Sequence, residues 1–309
     1  MIPVFIGGCD RSGTTLLGSM LGTHSKCLCT PESQFIVEVL SRCDLDADHI
    51  DPQRALDMIV KHPRFRTWAL NIKPSHSPYR QANATYPELV EWVIKEYGAA
   101  NGKVCPRIWI DHTPNNIKYA TTLVSLFPQA RLIHIVRDGR AVASSLLSVT
   151  WGPAAIDRAA YYWLRNLAYG LAAESSCDPA NVMRIKYEDL VIAPEDTLRR
   201  VSSFLGIDYQ PQMMKGDGFQ VPSFTRRDHV LVGQAPDRRR VDAWQNELTS
   251  RQIEIFESTT GDMLRYLGYD MRFGTNAKSM TIIERCASNL KTWQMVIGNL
   301  WQRIRLQWS

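Results

Sequence analysis

The sequence lacks three features that would restrict its class at once. No uninterrupted apolar run approaches the roughly 20 residues that a membrane-spanning helix needs. No segment repeats, and no basic stripe with interleaved aromatic residues indicates nucleic-acid binding. Lysine and arginine outnumber aspartate and glutamate only 36 to 31, and the resulting net charge of +5 suits anionic ligands but is too small to favour nucleic acid. We therefore predict a globular protein with no nucleic-acid partner.

The cysteines also lack a regular pattern. Seven cysteines at irregular spacing among 309 residues do not predict a disulfide framework. Cys27 and Cys29 stand two positions apart, but no second cysteine or histidine pair at ligand spacing lies nearby, so we predict no metal site. The first predicted strand begins at about Pro3, which leaves no room for a signal peptide before it. We expect a cytoplasmic protein, with peripheral membrane contact left open.

Strands alternate with helices along most of the chain. This alternation predicts an α/β fold, a parallel sheet flanked by helices. Residues 44–105 interrupt it as a mostly helical insertion. In parallel sheets ligands bind at the carboxyl ends of the strands, and Arg11, His112 and Arg137 each follow a predicted strand. The predicted strands cover residues 3–6, 107–111, 131–136 and 182–187, and residues 26–29 form a short turn or strand.

The last thirty residues differ from the rest of the chain. Apolar residues from Ile282 to Trp308 recur at steps of three or four, which predicts an amphipathic helix, and its charged residues sum to +3. We expect residues 1–278 to form one domain and residues 279–309 a C-terminal helical extension. The apolar face of that helix has three possible partners: the body of the protein, a second copy as a homodimer, or a membrane interface.

The first loop follows an apolar strand and opens a helix. It runs Gly8-Cys9-Asp10-Arg11-Ser12-Gly13-Thr14-Thr15, so its free N–H groups and the positive end of the helix form a cradle for an anion. The glycine spacing fits a P-loop, but Thr14 stands where a P-loop has lysine. The loop therefore predicts an anionic ligand other than a triphosphate bridged by that lysine.

A second anion site is predicted at the turn Arg137-Asp138-Gly139-Arg140 and the helix that follows it. Arg137 ends a buried strand, and Ser145 lies two helical turns into the next helix. Both side chains can therefore reach one phosphate. A lone arginine after a strand is usually part of a structural ion pair, but the presence of two anion sites on one sheet favours a ligand.

Together with Lys186-Tyr187-Glu188-Asp189-Leu190, these two motifs resemble the PAPS-dependent sulfotransferases over about residues 3–270. The resemblance implies a P-loop-NTPase-like sulfotransferase fold and transfer of a sulfuryl group from PAPS (3′-phosphoadenosine 5′-phosphosulfate) to an acceptor hydroxyl, with PAP as the product and no metal. It implies that the 3′-phosphate is held by Arg137 and Ser145, with Tyr187 near the nucleotide or acceptor. The residues implied for the 5′ side are Arg11, Ser12, Gly13, Thr14 and Thr15, and those implied to cover the nucleotide are among Arg238, Arg239 and Arg240.

The resemblance leaves two candidates for the catalytic base. Glu32 matches the base glutamate of tyrosylprotein and many glycan sulfotransferases, and His112 matches the catalytic histidine of the cytosolic small-molecule enzymes. We favour Glu32, with Arg11 offsetting the charge on the leaving phosphate. The structural alternatives are Glu32 in the first turn of a helix that starts near Pro31, and His112 as a loop hydrogen bonder. Many glycan enzymes of the family carry a lysine where this chain has His112, and Lys73 is a candidate to replace that lysine from its sequence surroundings alone.

The predicted acceptor is a hydroxyl of a carbohydrate or glycolipid. A tyrosyl or small-molecule sulfotransferase is the alternative. More remote alternatives are a P-loop kinase, which the absent lysine argues against, and a non-catalytic docking protein with the same fold.

Overall fold

The computed structural model describes residues 1–42, 51–73, 77–79, 84–103, 105–219, 233 and 236–307, with side chains described up to residue 298 and at Trp301. Five strands form one parallel sheet in the order β2-β3-β1-β4-β5 within this part of the chain. Four of them match strands predicted from the sequence, the one at Cys27–Thr30 matches the predicted short turn or strand, and the predicted α/β class is confirmed. The strands are β1 Ile2–Gly8, β2 Cys27–Thr30, β3 Ile108–Asp111, β4 Arg131–Val136 and β5 Val182–Lys186.

The described helices occupy the segments between and after the strands. The α-helices are α1 Thr14–Gly22, α2 Phe35–Arg42, α3 Pro52–Lys61, α4 Pro63–Arg66, α5 Tyr86–Ala100, α6 Ala120–Leu126, α7 Gly139–Leu147, α8 Ile156–Ser176, α9 Tyr187–Ile192, α10 Pro194–Leu205, α11 Arg239–Asp242, α12 Trp244–Glu247, α13 Ser250–Tyr266 and α14 Ile282–Gln307. Short 3₁₀ turns are Pro114–Tyr119, Pro179–Asn181, Pro211–Lys215 and Gly274–Asn276. None of the helices in these described ranges is both long and apolar enough to cross a membrane.

Strand β1 lies at the centre of the sheet, between β3 and β4. Its residues Val4 and Ile6 are fully buried, as expected for a strand covered on both faces. At its carboxyl end, a Cβ atom on Gly8 would lie 2.3 Å from the carbonyl oxygen of Ile135 on β4. Only glycine permits this approach, so the end of β1 is fixed against its neighbour where the first loop begins.

The chain divides into two compact units. The first consists of Met1–Gly8, Ser12–Val136 and Tyr169–Asp237 and holds the whole sheet. Its main core joins the sheet to the insertion: Phe5 and Trp109 meet edge to face with ring centroids 5.4 Å apart, and Phe35 meets Trp68 at 5.2 Å. In the described part of residues 44–105 the chain forms helices α3, α4 and α5, and these helices supply part of this core.

The second unit consists of Cys9–Arg11, Arg137–Ala168 and Arg238–Ser309. At its centre the buried guanidinium of Arg140 donates to Asp138 at 2.8 Å and to Glu257 at 2.6 Å, and it lies 4.1 Å from the centroid of the Trp244 ring. Buried charges persist only when they are paired and hydrogen-bonded in this way. Arg140 is therefore the structural arginine of the Arg137-Asp138-Gly139-Arg140 turn.

Two local expectations from the sequence change. Helix α2 begins at Phe35 instead of near Pro31, so Glu32 lies before the helix and the interpretation of it as a first-turn residue is wrong. The N–H of the neighbouring Ser33 donates to Thr113 Oγ1 at 2.9 Å, which holds this segment out of the helix. Arg239 and Arg240, for which the resemblance implies a place over the nucleotide, begin the short helix α11. Trp308, the last apolar residue of the predicted amphipathic helix, lies outside the described residues.

Candidate functional site

The first loop in the sheet-bearing unit is built to bind an anion. Gly13 has φ of 98°, in the left-handed region that favours glycine, and helix α1 begins at the next residue. The first N–H groups of a helix have no partner within it and carry partial positive charge. The Ser12 side chain is only 1% exposed, and its Oγ has no hydrogen-bond partner in the described part of the chain. A phosphate or sulfate oxygen supplies the acceptor that this buried hydroxyl needs.

Thr14 and Thr15 form the first turn of α1, and both side chains are buried. Thr14 thus occupies the place of the P-loop lysine with a short, neutral side chain. The loop of this unit presents hydroxyl and N–H donors and no ammonium group, which suits a ligand held by hydrogen bonds more than by a point charge.

Tyr187 packs directly against the first loop. A Cβ atom on Gly13 would lie 2.5 Å from a ring carbon of Tyr187, which is itself buried at the start of α9. Gly13 is therefore required twice, once for its backbone angle and once for the space that the ring occupies. In the structure Tyr187 contacts the first loop. The sequence motif alone indicated only that Tyr187 follows β5.

His112 is buried under helix α1. It follows β3 directly, is 2% exposed, and lies so close to α1 that a Cβ atom on Gly18 would be 2.9 Å from its own Cβ. Its ring also meets Phe219 edge to face, with centroids 4.8 Å apart. Access to the His112 imidazole is accordingly restricted.

Glu32 is more accessible than His112. Its carboxylate lies 3.7 Å from Arg64 on α4, accepts a weak hydrogen bond from Gln34 Nε2 at 3.4 Å, and is 21% exposed. Its backbone carbonyl accepts from the indole N–H of Trp68 at 3.2 Å. The insertion therefore supplies both a cation beside the carboxylate and a contact that fixes its backbone, and neither was predictable from the sequence.

Asp111 links the segment of Glu32 to the segment of His112. Its carboxylate accepts from the hydroxyl groups of Ser33 and Thr113 and from the Thr113 N–H at 3.0 Å. Burial raises the pKa of Asp111, although these hydrogen bonds oppose the rise. Because Ser33 follows Glu32 and Thr113 follows His112, one buried carboxyl fixes the positions of both candidate bases. The sequence analysis missed it, although an acidic residue that ends a buried strand beside a threonine is a readable signal.

In the second unit, the arginines of the two predicted anion motifs are bonded together. Arg137 Nη1 donates to the backbone carbonyl of Arg11 at 2.8 Å, and Arg11 Nε donates to Ser145 Oγ at 3.0 Å. A second hydrogen bond runs from Arg137 Nη2 to the carbonyl of Arg240 at 3.0 Å. The structure thus brings together Arg11, Arg137, Ser145 and the backbone of Arg240. The side chains of Arg238, Arg239 and Arg240 are exposed.

Asp10 is a second anchor that the sequence analysis missed. Its carboxylate accepts a hydrogen bond from the hydroxyl of Tyr162 on α8. Burial and the charge of Asp10 both raise the pKa of Tyr162, so the phenol stays protonated as a donor. This contact fixes the residue that precedes Arg11.

Cys27 and Cys29 are core residues of β2. Both are buried, and burial raises the pKa of Cys27 to about 12 and that of Cys29 well above its usual value. Their thiols are therefore neutral and unreactive. Among the residues that the structure describes, no three His, Cys, Asp or Glu side chains cluster closely enough to hold a metal ion.

Comparisons with known proteins agree with this geometry. A model of the sulfotransferase family matches residues 3–211. The chain is 29% identical over 325 aligned residues to nodulation protein NoeE of Sinorhizobium fredii, covering 96% of this chain and 73% of that protein. It is 25% identical over 283 residues to protein-tyrosine sulfotransferase A of Caenorhabditis elegans, covering 86% and 67%.

Two solved structures share the fold. The sulfotransferase domain of the Synechococcus PCC 7002 olefin synthase superposes with a TM-score of 0.60 at 21% identity, covering 87% of this chain and 95% of that one. The sulfotransferase domain from the curacin biosynthetic pathway gives 0.59 at 20% identity, covering 87% and 98%. The sheet order and the loop after β1 therefore belong to a known architecture.

The chain belongs to the sulfotransferase family. It is a PAPS-dependent enzyme that transfers a sulfuryl group to an acceptor hydroxyl, and the resemblance drawn from its sequence motifs is confirmed. The unpartnered Ser12 hydroxyl and the left-handed Gly13 fit the donor that this chemistry requires.

Replacing Asp111 tests whether its carboxyl group stabilises the segments that carry Glu32 and His112. Asp111→Ala removes the acceptor for Ser33 and Thr113 and leaves buried donors unsatisfied, so we expect the free energy of unfolding in urea to fall by about 2–4 kcal/mol. Asp262→Ala is the control, because the Asp262 side chain is 92% exposed, and it should change stability by less than about 0.5 kcal/mol. Equal effects of the two substitutions would contradict a positioning role for Asp111.

Proposed function

We propose that the chain transfers the sulfuryl group of PAPS to a hydroxyl of a carbohydrate or glycolipid, with Glu32 as the general base. The difference in exposure between the two candidate bases supports this choice, because Glu32 is 21% exposed and His112 is 2% exposed. A base must come within hydrogen-bond distance of the proton that it removes. The Glu32 carboxylate meets this requirement for an acceptor that arrives from solvent.

The donor residues follow the same proposal. Ser12, Gly13, Thr14 and Thr15 hold the 5′ side of the nucleotide together with Arg11, and Arg137 and Ser145 hold the 3′-phosphate. Support comes from the buried Ser12 hydroxyl in one unit and from the bonded set of Arg11, Arg137 and Ser145 in the other. Tyr187 lines the loop, and the exposed Arg238, Arg239 and Arg240 cover the nucleotide.

In this mechanism PAPS supplies an activated sulfuryl group on its 5′-phosphate. Glu32 accepts the proton of the acceptor hydroxyl as the new sulfur–oxygen bond forms, and the Arg64 guanidinium lies 3.7 Å from its carboxylate. Arg11 and the N–H groups of the first loop offset the charge that develops where the bond to the leaving phosphate breaks. His112 packs against α1 at Gly18 and so helps to hold that helix in place.

A tyrosine hydroxyl of a protein is the second candidate acceptor. The observation that favours it is the name of several relatives, which are protein-tyrosine sulfotransferases from Caenorhabditis elegans and Danio rerio among others. Both acceptor classes need a base at Glu32. Labelled PAPS offered with glycans, glycolipids, tyrosyl peptides and simple phenols in parallel separates them, and transfer to tyrosyl peptides alone would replace the carbohydrate assignment.

Glu32→Gln and His112→Asn, compared on the best acceptor of that panel, test the base. We expect Glu32→Gln to lower kcat by about 10²–10⁴-fold, since the amide cannot take the proton, while PAP binding measured by calorimetry stays within about twofold. His112→Asn should lower kcat far less. Glu96→Gln on the exposed side of α5 is the matched control and should leave both values unchanged. If His112→Asn abolishes turnover and Glu32→Gln spares it, the base is His112.

Arg137→Ala tests the 3′-phosphate assignment through discrimination between two nucleotides. The wild-type protein should bind PAP more tightly than 5′-AMP, which lacks the 3′-phosphate. The substitution should weaken PAP binding by about 10- to 100-fold through loss of a charged hydrogen bond, with a smaller effect on 5′-AMP. Arg200→Ala, an exposed arginine of α10, is the control. Because Arg137 also donates to the carbonyl of Arg11, some loss of 5′-AMP binding is expected, and equal weakening of both nucleotides would show that Arg137 acts only through Arg11 and does not contact the 3′-phosphate.

A further inference from the structure

The C-terminal helix α14 carries its apolar residues on the outside. The exposed fractions are 80% for Ile282, 81% for Ile283, 60% for Leu290, 66% for Trp293 and 67% for Trp301. At about 100° per residue these five side chains fall within one arc of roughly 100° on the helix surface. The amphipathic helix predicted from the sequence is therefore present, but its apolar face does not pack on the body of its own unit.

The opposite face of α14 carries its partly or fully buried residues, Glu284, Ser288, Thr292 and Met295, and contacts the rest of the second unit. Glu284 forms a two-bond ion pair with Arg251 on α13, at 2.8 Å for each bond. The buried Ser288 donates to Asp157 at 2.7 Å. The fold thus fixes the helix through its polar side and leaves the apolar side facing solvent.

The charges beside the apolar face are positive. Arg285 and Lys291 are exposed, and helical spacing places one on each side of the apolar arc. Glu284 is the one acidic residue in the sequence from 282 to 307, and the hydrogen bonds from Arg251 lower its pKa to about 2. That carboxylate is already paired with Arg251, so it does not offset the exposed cations.

We propose that the exposed face of α14 binds the surface of a membrane that contains anionic lipids. A helix lying in the interface buries an apolar face that includes tryptophan, while flanking cations contact anionic headgroups, and α14 has both features. This role goes beyond sulfuryl transfer, and it places the enzyme beside a lipid surface.

A second copy of the chain fits this face less well. Self-association through α14 brings Arg285 and Lys291 of two helices together, and the helix has no free carboxylate to pair with them. Like charges at an interface oppose association. Anionic headgroups satisfy the same cations, so charge complementarity selects the membrane.

The test compares variants of the full chain in flotation with lipid vesicles. Vesicles of roughly 7:3 phosphatidylcholine to phosphatidylserine should carry the wild-type protein to the top of the gradient, whereas pure phosphatidylcholine should bind it weakly. Trp293→Ala with Trp301→Ala should weaken binding at least about tenfold. Arg285→Gln with Lys291→Gln should weaken binding to the anionic vesicles by about fivefold per cation.

Trp151→Ala with Tyr161→Ala is the matched control, because it removes two exposed aromatic residues from outside α14 and should leave vesicle binding unchanged. PAP binding reports the folded state of every variant. Failure of the wild-type protein to bind anionic vesicles overturns the proposal, as does binding that the tryptophan pair does not affect. A dimer in sedimentation that Trp293→Ala with Trp301→Ala dissociates, without vesicle binding, assigns the face to a second copy instead.

Discussion

The hydrogen bond from Arg137 to the carbonyl of Arg11 holds together the two arginines that we propose bind PAPS. Arg11 has φ of 68°, a left-handed conformation that costs a non-glycine residue about 1–3 kcal/mol unless its surroundings hold it. With its backbone held there, Arg11 directs its guanidinium to Ser145. The contact of Tyr162 with Asp10 fixes the preceding residue. Two motifs that lie more than a hundred residues apart in sequence therefore form one bonded set.

The two candidate bases, Glu32 and His112, are positioned by a different residue, Asp111. Asp111 binds the neighbours of Glu32 and His112, so the positions of both groups depend on one buried carboxyl at the end of β3. The two candidate bases then differ in what surrounds them. His112 is enclosed by α1 and Phe219, whereas Glu32 is partly open to solvent and lies beside Arg64. The sequence already favoured Glu32 through its match to one branch of the family, and the difference in exposure supports the same choice.

Much of the fold could be predicted because its signals are local. The five apolar strand segments, the glycines at Gly8 and Gly13 and the arginine after β4 all follow from periodicity and backbone chemistry over short windows. The start of α2 could not be predicted, because a contact from Ser33 to Thr113, eighty positions away, overrides the helix signal of Pro31 and Glu32. The contact of Arg64 with Glu32 and that of Tyr162 with Asp10 were likewise not predictable, because they come from helices whose patterns carry no chemical signal. The outward apolar face of α14 was also hidden, since periodicity reveals an apolar face but not what covers it.

We propose that the first loop, with Thr14 in place of the P-loop lysine, binds a phosphosulfate nucleotide by hydrogen bonds and arginine. Calorimetric titration with PAP, in EDTA and then in magnesium, tests it most directly, with ATP titrated under the same two conditions. We expect PAP to bind with affinities equal within about twofold in the two buffers, and we expect ATP not to displace PAP. Tight ATP binding that requires magnesium, with weak PAP binding, would contradict the account and assign the loop to a nucleoside triphosphate.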